Sequence, residues 1–363
     1  MAAGEPAGPA SRVGSPRTAS FFLGAAGVVI ALAGLRELSW LATPLMLSAL
    51  VIVVVYPAAA WLTSRGVPRP LALGVLLLLV FGLLAGLLAV IVYSLSRLAG
   101  LLPQYSERMQ GIVTDLADLL AEAGIRSPQT AELLESINLA EVAIWLTGQI
   151  PPIVSLATVL VFTGTVLVFL GIEATQLPLR ARWLYRDQPR LAQSLAGSVA
   201  GIRRFIGITS VFAVVVGVLD TLFLAILGIP LAALWGVLAA VCNFIPYLGF
   251  LIGMAPPALL ALLLDGWETM LLVIAVYVVL NFLVTSLLPA KVIADAVGLS
   301  MVVEVVCIVF WAWILGPLGA ILAVPVTVVA KALLVDSNPR ARWLYGFVSS
   351  GKLLRRRDEG ELS

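Results

Sequence analysis

Residues 243–249 read NFIPYLG, and they lie inside a run, 231–264, that contains no charged residue. So apolar a run is expected to be a membrane-spanning helix, yet its middle carries an amide, a proline, a phenol and a glycine. Pro246 has no N–H to give a helix and crowds the preceding turn, and Gly249 is a poor helix former. We expect the helix to break there. Each half then has about 15 residues and rises about 22 Å. That is short of a hydrocarbon core of about 30 Å. The run 301–335 behaves alike, because LGPLG at 315–319 splits it into two short pieces.

The rest of the chain is equally apolar. It is 61% hydrophobic and 12% charged over 363 residues, with mean hydropathy +1.09. Soluble domains are roughly 45–50% apolar and about 25% charged. The apolar runs are 21–35, 39–62, 71–95, 151–172, 206–227, 231–264, 270–289 and 301–335. Backbone groups in lipid must satisfy one another, so these are helices. The expected fold is an all-α integral membrane protein with six to eight hydrophobic helical segments, two of them Gly/Pro-broken, plus an amphipathic helical extramembrane region.

There is no histidine, and both cysteines, Cys242 and Cys307, lie in apolar runs as small buried hydrophobes. No metal site or cofactor is expected. Neither Ser–Lys nor paired-Asp chemistry is apparent, which argues against an intramembrane hydrolase and for a non-enzyme. The stretch 346–353, GFVSSGKL, imitates a phosphate-binding loop, but it lacks the Ser or Thr for magnesium and any strand before it. Nothing points to nucleic acid.

Arg and Lys accumulate on the cytoplasmic side and orient the chain. Arg12 and Arg17 place the N-terminus inside. Ala31-Leu32-Ala33 resembles a signal-cleavage site, but a second apolar run follows so closely that a retained first span is preferred. Arg65 and Arg69 fall inside after the second span. Region 96–149, with three Arg against seven acids, falls outside after the third, and 173–204, with six Arg against two acids, falls inside after the fourth. Within 96–149, Tyr105, Met109, Ile112, Leu116 and Leu119 recur at helical spacing, as do Leu133, Leu134, Ile137, Ile144 and Trp145. These predict amphipathic helices that lie on the membrane, pack on a neighbouring subunit or cap their own protomer. RARWLY occurs at 180–185 and again at 340–345. Arg180, Arg182, Trp183 and Tyr185, with Arg340, Arg342, Trp343 and Tyr345, suit the headgroup layer as interfacial anchors.

The two broken segments follow the spans 206–227 and 270–289, so the order span–broken segment repeats. Asp265 and Glu268 follow the first, as expected outside. Lys291 and Lys331 flank the second, as expected inside. Each segment then starts and ends on one face, giving an inverted repeat with two re-entrant hairpins. Long Pro-kinked spans, or double short spans, are the alternatives, and the first of these would put Lys291 outside. Paired broken segments in matching positions point to a polar site at mid-membrane, since a helix that stops there offers unpaired N–H and C=O groups and a dipole end. Asp220, deep in the fifth span, must face a partner or a water path, and can carry a proton or cation or serve as a neutral structural carboxyl. Glu304 lies near the start of the second broken segment. Asn243 and Asn281 can bridge helices or bind solute. Gly82-x-x-x-Gly86 and Gly249-x-x-x-Gly253 permit close helix contact, the latter between the two arms of a hairpin.

Three stretches resemble the autoinducer-2 exporter family of predicted bacterial permeases: YPAAAWLTSRGVPRPLAL at 56–73, LGIPLAALWGVLAAVCNFIPYLGFLIGMAPPAL at 227–259, and LGPLGAILAVPVTVVAKALL at 315–334. Asn243, Pro246, Tyr247, Gly249 and Gly253 match the central motif, with Pro230, Trp235 and Gly236 upstream and Gly316, Pro317, Gly319 and Pro325 in the third stretch. Where the family pattern has His-Pro after the Gly-Leu of VGLSM, this chain has Ser300 and Met301. The resemblance implies a polytopic homo-oligomer, a pentamer, in the bacterial inner membrane that moves a small polar solute. Autoinducer-2 export and sodium/proton antiport are both implied possibilities.

The organisation expected is a disordered tail over 1–19, three spans in 20–95, an extracytoplasmic region over 96–150, a transport core over 151–335 and a basic cytoplasmic tail over 336–363. Function is expected to be secondary transport by alternating access, coupled to a proton or sodium ion carried by Asp220. A passive channel, an antiporter and a non-transporting scaffold are the rivals.

Overall fold

The computed structural model describes residues 16–105, 150–174, 176–246, 248–287 and 299–337, with scattered positions between 106 and 149. The helices predicted within 106–149, Tyr247, Lys291 and the second RARWLY copy therefore lie largely or wholly outside the described residues. All the regular structure described is helical: α1 (Pro16–Glu37), α2 (Ser39–Ser64), α3 (Arg69–Leu101), α4 (Ile150–Ala174), α5 (Leu177–Asp187), α6 (Pro189–Ile226), α7 (Ala232–Cys242), α8 (Gly249–Asp265), α9 (Trp267–Leu287), α10 (Met301–Leu315) and α11 (Pro317–Lys331). The fold is that of an all-α integral membrane protein, with five helical stretches long and apolar enough to cross a bilayer among the described residues.

Helices α2, α3 and α4 pack as a three-helix unit. Val51, Ile52, Val55, Leu77 and Leu167 fill its centre, and Ser48 Oγ donates to the Thr163 carbonyl across α2 and α4 at 3.2 Å. Helices α6 to α9 form a second unit around Leu224, Leu234, Trp235, Leu260, Leu263, Val273 and Tyr277.

Sequence reading placed 189–204 in a polar region, but here it is the N-terminal part of α6. The arginines hid a buried stripe: Ala192, Ser198 and Ile202 are buried, and Arg203 sends its Nε–H to the Val53 carbonyl of α2 at 2.6 Å. At 38 residues, α6 rises about 57 Å, far more than a bilayer needs.

Both broken segments fold as helix pairs. In the first, α7 and α8 flank the tip 243–248, and Gly249 and Gly253 allow the arms to meet. A methyl at Gly249 would strike the Cys242 carbonyl, and one at Gly253 would sit 2.9 Å from Ala239 Cα. By contrast, Gly82 and Gly86 have nothing within 4 Å. In the second pair a single residue, Gly316 (φ 72°), joins α10 to α11. Pro317 follows at the first helical position, where its missing N–H costs nothing, and Gly319 lies against the Trp311 carbonyl. The arms are unequal: α10 has 15 residues, but α11 continues through a π-helical turn to Asp336 and reaches span length. An ion pair between Lys331 and Asp336 at 3.3 Å closes that turn.

The first pair packs on α6 at a point where neither helix has a side chain. A methyl on Gly217 would lie 2.7 Å from the Gly236 carbonyl, and one on Gly236 would strike Thr221 and Gly217. Gly236→Ala is therefore expected to destabilise the protein by about 1–3 kcal/mol, the usual cost of overpacking, whereas Gly82→Ala leaves it unchanged. Thermal unfolding of the detergent-solubilised protein measures both.

Candidate functional site

The turn entering α7 shows how the sequence builds the site. Gly228 (φ 70°) and Leu231 (φ 61°) both adopt left-handed backbone, a conformation that strains a leucine. Pro230 lies between them, and Trp235 Nε1 donates to its carbonyl at 3.0 Å. The buried indole thus pins the turn, and the next residue, Gly236, fits against α6.

Asp220 stands on the same face of α6, near the Gly217–Gly236 contact. It is 1% exposed, and neither carboxylate oxygen has a hydrogen-bond partner. Tyr277 of α9 is within electrostatic reach of that carboxylate. It is 3% exposed, and its hydroxyl is likewise unpartnered. Buried polar groups are nearly always satisfied, so an orphaned acid within electrostatic reach of an orphaned phenol is the most unusual chemistry among the described residues. The carboxyl can take up or release a proton, and its oxygens, with the phenol in electrostatic reach, suit a small cation.

Sequence reasoning found Asp220 and missed Tyr277. The signal was weak but present: Tyr277 and Asn281 are four residues apart, hence on one face of an otherwise apolar helix. Asn281 is half-buried there.

The remaining candidates gather at the two breaks. Asn243 caps the end of α7, and Asn243 and Pro246 are half-buried at the tip. Asp220 is level with Gly236, about 10 Å of helix back from Asn243, so the carboxylate and the tip are separate places. Ile245 at that tip packs against the core of the second pair, with Ile308, Trp311, Ile314 and Ala323. The tip of the first pair therefore rests on the second pair.

A polar group lies inside the second pair. Trp311 Nε1 donates to Thr327 Oγ1 at 2.9 Å, the Cys307 thiol hydrogen-bonds Thr327, and Glu304 lies within electrostatic reach of Cys307. Glu304 is buried in the first turn of α10. Ser300, one of the residues that depart from the family pattern, caps that helix, its Oγ accepting from Val303 N at 3.4 Å. Pro325 is buried in α11. It has no N–H for the carbonyl one turn before it.

Arg180, Arg182, Trp183 and Tyr185 are all exposed on α5, and Arg180 pairs with Glu173 at the end of α4. They form a surface feature remote from the buried polar groups.

These features define a polytopic membrane protein whose interior holds broken helices and orphaned polar groups. The chain belongs to the AI-2E family of transporters, whose model matches residues 24–337. Among its relatives, the putative transport protein YhhT of Escherichia coli is 26% identical over 84% of this chain and 87% of its own length. The AI-2 transport protein TqsA of the same organism is 26% identical over 85% and 89%. The putative transport protein YrrI of Bacillus subtilis is 23% identical over 80% and 85%.

The hydrogen bonding separates polar groups that help hold the fold from those that do not. Tyr277→Phe removes a hydroxyl that bonds nothing and should leave unfolding unchanged or slightly favour the fold. Trp311→Phe deprives Thr327 of its donor and should cost about 1 kcal/mol. Paired thermal-unfolding curves distinguish the two.

Proposed function

We propose that this membrane transporter exports a small polar solute, of the size and polarity of autoinducer-2, by alternating access driven by a proton or sodium gradient. The observation that supports the reading best is the buried Asp220 carboxylate, with Tyr277 as its neighbour, on the helix that carries the first broken pair. An intramembrane carboxylate without a structural partner is costly unless an ion or proton occupies it part of the time. Ion binding at Asp220 would alter the charge beside the α6–α7 contact, and the first broken pair would respond by shifting against the second.

In this reading the solute binds where the tip of the first pair rests on the second, against Asn243, Pro246, Tyr247 and the Gly316–Pro317 turn. The N–H groups of 243–245, 248 and 249 are already bonded within the tip, so the Asn243 amide and the helix-end dipoles would hold it. Gly249, Gly253, Gly319 and Pro325 shape the backbone there, while Asn281 and Glu304 line the approaches. The protein performs no chemistry on the solute and needs no cofactor beyond the coupling ion. It works as a homo-oligomer, a pentamer, in the bacterial inner membrane. Both termini are cytoplasmic, and the RARWLY segments sit at the headgroups.

Purified protein in sealed vesicles provides the test. Solute flux is expected to follow an imposed proton or sodium gradient and to fall to the level of empty vesicles in Asp220→Asn. Flux indifferent to every gradient would identify a passive channel instead, and no flux at all would favour a scaffold.

Topology is tested separately. On a background lacking Cys242 and Cys307, cysteines placed at 231 and 264 should label from one face of the membrane. Labelling from opposite faces would replace the first re-entrant hairpin with a kinked span.

A further inference from the structure

We propose that the cleft between α3 and α4 holds an anionic phospholipid, with an acyl chain in the cleft and its phosphate at Arg69. The cleft is a cavity of about 470 Å³, within the range of about 300–1,000 Å³ common for small-molecule sites. Every residue that lines it is apolar, so its occupant there is a hydrocarbon. Its depth comes from two glycines of α4 placed two turns apart. A methyl on Gly164 would come 3.1 Å from Phe81, and one on Gly171 would come 3.2 Å from Leu77.

At one end the character changes. Leu73 is shared between the cleft and a small notch of about 50 Å³ formed by Tyr56, Thr63, Arg69 and neighbouring apolar residues. Arg69 is exposed and takes part in neither of the ion pairs seen among the described residues. Tyr56 is covered by the Arg203 guanidinium, 5.8 Å from the ring centre, so a second fixed cation stands behind the notch. Beyond it the α2–α3 turn carries Arg65 stacked on Trp61 at 4.2 Å. Arginine beside tryptophan at a helix end is characteristic of the headgroup layer.

An apolar cleft that adjoins, across Leu73, a cationic, hydroxyl-bearing notch matches one amphiphile: a chain with a phosphate at its end. Access is lateral. Leu78 and Val168 on the cleft's rim are 73% and 58% exposed, so a bilayer lipid can enter without leaving the membrane. A second copy of the chain would fill the cleft with an apolar helix but leave Arg69 without an anion. The proposal is independent of what the protein transports.

Native mass spectrometry of the full-length protein, loaded with phosphatidylglycerol or phosphatidylcholine and stripped in detergent, tests it. The wild type should keep phosphatidylglycerol in preference. Arg69→Gln should reduce that preference about fivefold, the effect of one basic group at a lipid surface. Val168→Trp, at a lipid-facing position that tolerates an indole, should lose both lipids. Equal retention of the two lipids by the wild type would overturn the proposal, as would full retention by Val168→Trp. Displacement by glycerol phosphate, which has no chain, would reassign the notch to free phosphate. Disulfide cross-linking of Leu78→Cys protomers in native membranes would assign the cleft to a second copy.

Discussion

The close approach of α6 and α7 at Gly217 and Gly236 governs the packing of the unit formed by α6 to α9. In lipid no hydrophobic force draws helices together, so contact must come from dispersion between surfaces that fit. Two glycines let the backbones meet, and Thr221, its hydroxyl bonded to the Gly217 carbonyl at 2.7 Å, lies directly against Gly236. Once α7 is seated, Trp235 can reach the Pro230 carbonyl and hold the strained turn at Leu231. The arm α8 then follows along α7, and α9 along α8. The carboxylate of Asp220 is enclosed by this packing and by Tyr277 from α9.

The second broken pair solves the same backbone problem by other means. Its turn is one residue, and its arms are joined internally by the indole–hydroxyl bond of Trp311 and Thr327. It also leans on α6, but at the opposite end: Ile202 and Phe205 meet Val324 and Val328, and Ser198 Oγ donates to the Val328 carbonyl at 3.4 Å. Helix α6 is therefore the common support, with the first pair on its C-terminal half and the end of the second on its N-terminal half. Its excess length over a bilayer makes this possible.

Much of this was legible because lipid imposes simple rules. Apolar runs must be helices, and glycine or proline within them must interrupt or tighten the backbone. NFIPYLG and LGPLG could be read as breaks for that reason. What escaped was whatever depends on a partner from elsewhere in the chain. The N-terminal part of α6 looked like a basic loop because its buried stripe has meaning only against α2 and α11. The span-length second arm went unseen because a π turn carries the backbone on to Asp336, held by a lysine–aspartate pair. Tyr277 was overlooked because a lone phenol in an apolar helix is unremarkable until an unpaired carboxylate is found within electrostatic reach of it.

The arrangement also bears on how an ion could be linked to movement. Asp220 is not at either break. It lies beside the helix crossing that holds the first pair, about 10 Å of helix from the tip. A charge change there would act on the seat of the hairpin. Because the seat is tight, with Thr221 of α6 against Gly236 and Ala240 of α7 against Gly217, a displacement there would be passed from α6 to α7. The tip would then shift against the second pair, where Ile245 packs among Ile308, Trp311 and Ala323. The second pair is braced internally by Trp311 and Thr327, so it would yield less than the first. On the proposed function, the first pair, seated beside Asp220, would move against the second.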